Sequence, residues 1–65
     1  MELIATYIGE QATKTRAEVH KNNNVYEIHY YNNRGQLFKT ENFASEQTAQ
    51  IIAETWASEI QVLKE

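Results

Sequence analysis

Apolar residues change their spacing once along this chain. Up to about residue 43 they tend to alternate with polar ones, and beyond Ser45 they recur at every third or fourth position. The first rhythm is that of half-buried strands and the second that of an amphipathic helix. In the second stretch Ala49, Ile52, Ala53, Trp56, Ile60 and Leu63 fall on one stripe, with no Pro or Gly to interrupt it. This predicts a helix over about 46–64. Ser45 is a suitable N-cap, Glu46 suits the positive end of the helix dipole, and Lys64 suits the other end. Trp56, in mid-stripe, is expected to anchor the core, and Trp56→Ala is expected to cost about 3–5 kcal/mol. Ile51, Thr55, Ser58 and Val62 fall on the opposite side.

Four strands are expected before the helix, over about 3–8, 13–21, 25–31 and 36–43. Residues 3–8 are rich in β-formers and stop at Gly9, which opens a loop to Ala12. In 13–21, Thr15, Ala17 and Val19 alternate with Lys14, Arg16, Glu18 and His20. Asn22–Asn24 reads as a turn, because Asn tolerates positive φ. Residues 25–31 contain Val, Ile and three Tyr, and form the strongest strand signal. Asn33-Arg34-Gly35 fits a three-residue hairpin loop with Gly35 in the left-handed region. Such short connections make neighbouring strands antiparallel. The expected architecture is therefore a single α+β domain, a four-stranded antiparallel meander (ββββα) with the C-terminal helix laid on one face.

Register decides which residues each face carries, since a slip of one residue turns every side chain over. Pairing Ile4 with Ala17, Val19 with Tyr26, Ala17 with Ile28, and Tyr30 with Phe38 gives a helix-facing core. That core comprises Ile4, Ile8, Ala17, Val19, Tyr26, Ile28, Tyr30 and Phe38. The uncovered face then has one row of Tyr7, Lys14, Tyr31 and Leu37. A second row holds Ala5, Arg16, His29 and Lys39, and a third Leu3, Glu18, Glu27 and Glu41. One helix covers only one face, so this side stays open unless a partner covers it. Tyr7, Lys14, Arg16, His29, Tyr31, Leu37 and Lys39 are the candidate partner-binding residues, because Tyr and Arg are enriched in interface cores. The competing readings of the same face are a solvated polar surface and a stacking platform for single-stranded nucleic acid.

Size and composition narrow the function. Sixty-five residues bury only about 60% of the unfolded surface, so a homodimer is one route to more buried area. Six Lys and Arg against nine Asp and Glu give a net charge of −3, which disfavours nucleic acid. Without cysteine there is no disulfide and no thiolate metal site, which fits a reducing cytosol. Apolar runs are too short to span a membrane, and the first residues lack the basic and apolar regions of a signal peptide. His20 and His29 stand at no recognised metal-ligand spacing, and the pattern places no Ser, Cys or carboxylate beside either so as to build a triad. Glu18, Glu27 and Glu41 read as a solvated charge row, and the two glycines form no phosphate loop. No enzyme activity, cofactor or metal is expected.

The opening Met1-Glu2-Leu3-Ile4-Ala5-Thr6-Tyr7, then Thr13-Lys14-Thr15 and Glu18-Val19-His20-Lys21-Asn22, and the closing helix with Ser45, Ala49, Ala53-Glu54 and Trp56 form one pattern. It resembles small accessory proteins encoded by tailed phages of cyanobacteria. That resemblance implies a protein made in the infected host's cytoplasm, acting by binding a host or phage protein, with no catalytic residues to carry over. The expected function is a small non-catalytic protein-interaction module that works through the open sheet face or associates with itself. Single-stranded nucleic-acid binding, and a structural role in an assembly, are the alternatives.

Overall fold

The computed structural model describes residues 1–9 and 14–58, with Lys14 and Thr15 placed as strand residues only. Four strands, β1 (Glu2–Ile8), β2 (Lys14–Asn22), β3 (Val25–Asn32) and β4 (Leu37–Phe43), form one antiparallel sheet in meander order, followed by helix α1 (Glu46–Ser58). The fold class and topology are those the spacing predicts. Ile60, Val62, Leu63 and Lys64, expected in the helix, and the loop through Ala12 lie outside the described residues. Among the described residues, no helix is long and apolar enough to cross a membrane.

Local chemistry accounts for the connections. Asn23 takes φ 60° in the two-residue link between Asn22 and Val25, which pair directly. At the next turn Gly35 has φ 76°, where a side chain would be strained. Asn32 closes that loop: its Oδ1 accepts from the backbone amides of Arg34 (2.9 Å) and Gln36 (3.0 Å). Ser45 caps α1, its Oγ accepting from the amide of Thr48 at 3.3 Å.

Registers differ from expectation, and the differences decide the faces. Between β2 and β3 the pairs are Ala17 with Tyr30 and Val19 with Ile28, two residues from the expected register. An even slip leaves every side chain on its expected face. Between β1 and β2, Tyr7 pairs with Ala17 and Ile8 with Arg16, an odd slip that turns Ala5 to Ile8 over, while the extra residue at Ile4 leaves Leu3 and Ile4 on their expected faces. Tyr7 therefore packs on the helix side beside Ile4, while Ile8 points away from the core and is 68% exposed. Between β3 and β4, Tyr31 pairs with Leu37 as expected, but a bulge at Phe38 makes Tyr30 pair with Lys39 and Ile28 with Glu41. The extra residue reverses the alternation for the rest of β4. Lys39 and Glu41 thus belong to the helix side and not to the open face.

The core is small. Ala17, Val19, Ile28 and Tyr30 of the sheet meet Ala49, Ala53 and Ala57 of α1, all buried. Alanine at steps of four lets the helix approach the sheet closely. Ile4, Tyr7, Tyr26, Phe43, Ile52 and Trp56 pack around this centre, each partly buried. Trp56 is thus a flank of the core and not its middle. Its ring meets Tyr30 edge-on at 4.9 Å, with Phe38 at 6.2 Å.

Candidate functional site

The uncovered face of the sheet takes its order from the strand pairing, because directly paired residues share a face. One row reads Ile8, Arg16, Tyr31 and Leu37. The next reads Thr6, Glu18, His29 and Thr40, and the third Leu3, His20, Glu27 and Asn42. Acid and imidazole therefore alternate both along the strands and across them. His20 and His29 face outward as the alternation predicts, but each has carboxylate neighbours. The expected row of Glu18, Glu27 and Glu41 does not form, since Glu41 is on the other side and the remaining two stand diagonally.

Hydrogen bonds tie this centre together. Glu18 accepts from Arg16 Nε on Oε2 (2.7 Å) and from His20 Nε2 on Oε1 (2.9 Å). Glu27 accepts from His29 Nε2 on Oε1 (3.0 Å) and from Asn22 Nδ2 on Oε2 (3.2 Å). Carboxylates only accept, so both imidazoles carry their proton on Nε2 in this arrangement. The two rings stack at 4.3 Å with an interplanar angle of 29°, and the Arg16 guanidinium lies 3.8 Å from the centre of the Tyr31 ring. Burial pushes the Glu18 carboxyl up, but the bonds from Arg16 and His20 outweigh it and hold the group below the usual carboxylate range. The bonds from His29 and Asn22 do the same for Glu27. Although no helix among the described residues covers them, the side chains of Glu18, His20, Glu27 and His29 are only 16–20% exposed. They shield one another across the strands.

Of the expected partner-binding residues, the structure brings Arg16, His29, Tyr31 and Leu37 together on this face. Tyr7 and Lys39 are on the other side, and the side chain of Lys14 lies outside the described residues. Among the described residues, Arg16 is the one Lys or Arg that the face carries. Sequence reasoning missed Glu18, His20 and Glu27 as members of the site. The available signal was Glu-x-His in both β2 and β3, Glu18-Val19-His20 and Glu27-Ile28-His29, which places acid and imidazole on one face of each strand.

A second polar group sits where α1 leaves the edge of the sheet uncovered. Tyr30, Lys39 and Glu41 line a cleft of ≈ 320 Å³ with Ile51, Ile52, Thr55 and Trp56. The Tyr30 hydroxyl donates to Glu41 Oε1 (2.7 Å), and Lys39 Nζ stands 3.3 Å from Oε2. Burial, then the neighbouring Glu41, push the Tyr30 phenol well above its ordinary range. Tyr30, Lys39 and Glu41 thus partner one another within this cleft, which makes the group a paired polar edge of the core. No family model, curated protein or solved structure matches this chain.

Proposed function

We propose that this chain is a small non-catalytic interaction module that binds a protein surface through the open sheet face, with a second copy of itself as the occupant. The row Ile8, Arg16, Tyr31 and Leu37 carries this reading. Ile8 is 68% and Leu37 52% exposed, at the two ends of a row whose middle is a guanidinium stacked on a tyrosine. Apolar residues beside Tyr and Arg are the composition of an interface centre. Leu3 and Val25 add exposed apolar surface to the same face.

Charge and size favour a second copy. Arg16 offsets one of the two carboxylates of this face, and two imidazole donors bond to them, so two such faces meet without strong like-charge repulsion. Four of the seven buried residues among those described are alanines, and a chain of 65 residues gains stability from added burial. A host or phage protein as the occupant would instead leave the isolated chain monomeric. Sedimentation equilibrium separates the two. A dimer has twice the 7.6 kDa mass of the chain and dissociates on dilution. The double variant Tyr31→Glu, Leu37→Glu is expected to stay folded by circular dichroism and to sediment as a monomer. A wild-type mass of 7.6 kDa at the highest soluble concentration would overturn the assignment.

A further inference from the structure

We propose that Glu18, His20 and His29 form a binding site for a divalent transition metal of the zinc class. The inference goes beyond self-association and does not depend on it. One ligand atom from each of the three residues lies within 4.8 Å of the other two. An ion at the centre of an equilateral triangle of that side is about 2.8 Å from each atom, against about 2.0–2.2 Å for zinc bonds to His and carboxylate. Side-chain movements of under about 1 Å close that gap, and each residue has only a few rotatable bonds to adjust.

Three further observations favour the site. Two imidazoles and a carboxylate are the donor set that suits zinc, copper or nickel and does not suit magnesium or calcium. The strands that carry the donors pair directly, Glu18 opposite His29, so the scaffold is rigid sheet and not loop. Outer-shell partners are also in place: Arg16 holds the second oxygen of Glu18 at 2.7 Å, and Glu27 holds His29 at 3.0 Å. Such partners fix ligand orientation. On the open face the ion would keep at least one coordination position toward solvent, for water or a group of a bound surface.

The chain has no cysteine and no histidine besides these two, which makes the test clean. Titration of the full chain with zinc chloride, followed by imidazole NMR, is expected to shift the ring resonances of both His20 and His29 at one equivalent. Magnesium should shift neither. His20→Gln and His29→Gln should each weaken zinc binding at least tenfold in calorimetry. Glu27→Gln, which removes an outer-shell partner, should weaken it about tenfold. Movement of neither ring in the wild-type chain would overturn the site, and that readout needs no variant to fold. Equal zinc affinity in a folded His20→Gln, His29→Gln double variant would overturn it as well.

Discussion

On the side covered by α1, the two central strands present Ala17, Val19, Ile28 and Tyr30 to a helix stripe of alanines. On the other side the same strands present Arg16, Glu18, His20, Glu27, His29 and Tyr31, and no described element covers them. The covered side holds together by removing apolar surface from water, a contribution of about 25 cal/mol per Å². The open side holds together through hydrogen bonds between ionised acids and imidazoles, whose net gain is limited because water competes for the same groups. At the two central strands both sides are shielded, one by a lid and the other by the mutual packing of Glu18, His20, Glu27 and His29. The difference assigns stability to the covered side and leaves the open side available for binding. Substitutions that respect this division should separate the two properties.

The largest effect is expected at Ile28, which is fully buried at the centre of the covered side. Ile28→Ala should cost about 2–5 kcal/mol by lost transfer energy and the cavity left behind. Small domains hold only about 5–15 kcal/mol in total, so urea denaturation should find the variant partly or wholly unfolded. A loss comparable to that of an open-face substitution would break the division. Trp56→Ala comes next. The ring is partly buried on the flank of the described core, so about 2 kcal/mol is expected in place of the 3–5 kcal/mol of a central anchor, part of it from the edge-on contact with Tyr30.

At the margin of the covered side, Glu41 gives a smaller and pH-dependent effect. The hydroxyl of Tyr30 and the ammonium of Lys39 hold its carboxyl below the usual range, with burial opposing them. The other residues lining this cleft, Ile51, Ile52, Thr55 and Trp56, do not titrate. A folded-state value below the unfolded one means that the stabilisation is present above the unfolded carboxylate range. It is lost as pH falls through the lower folded value. Glu41→Gln should therefore cost about 1 kcal/mol at neutral pH, because the carboxylate is about a third exposed. The stability curves of variant and wild type should converge in acid. Curves that stay parallel down to low pH would show that Tyr30 and Lys39 do not stabilise the ionised form.

How much of this was legible in the sequence depends on the strand. Strands β2 and β3 were assigned to the correct faces although their register was off by two, because alternation survives an even error. In β4 the assignment failed after Leu37. The extra residue at Phe38 reverses the alternation, and no glycine or other local signal marks it. Strand β1 failed because its register hung on a loop whose length carries no pairing information, and Ile4 is an extra residue as well. These two strands account for the displacement of Tyr7 and Lys39 from the open face. The acid–imidazole centre was hidden for a different reason. Its acid–imidazole bonds run along each strand and are announced by the two Glu-x-His repeats, but the stacking of His20 on His29 that joins them into one centre follows only once Glu18 is set opposite His29.

The smallest effect on stability is expected on the open face, at Leu37. Its partner across the strands is Tyr31, its side chain is half exposed, and it lies outside the cluster that α1 buries. Removing it from a monomer uncovers little that was not already wet, so Leu37→Ser should change the unfolding free energy of a dilute sample by no more than about 0.5 kcal/mol. At high concentration the expectation differs. A dimer that buries Leu37 adds its binding energy to the folded state by mass action. The wild-type melting temperature should then rise with concentration, and that of Leu37→Ser should not. A variant that melts in parallel with wild type at every concentration would place Leu37 outside any interface. The boundary between the stabilising and binding sides would then lie along Arg16 and Tyr31, with the Leu37 end of the row as ordinary solvated surface.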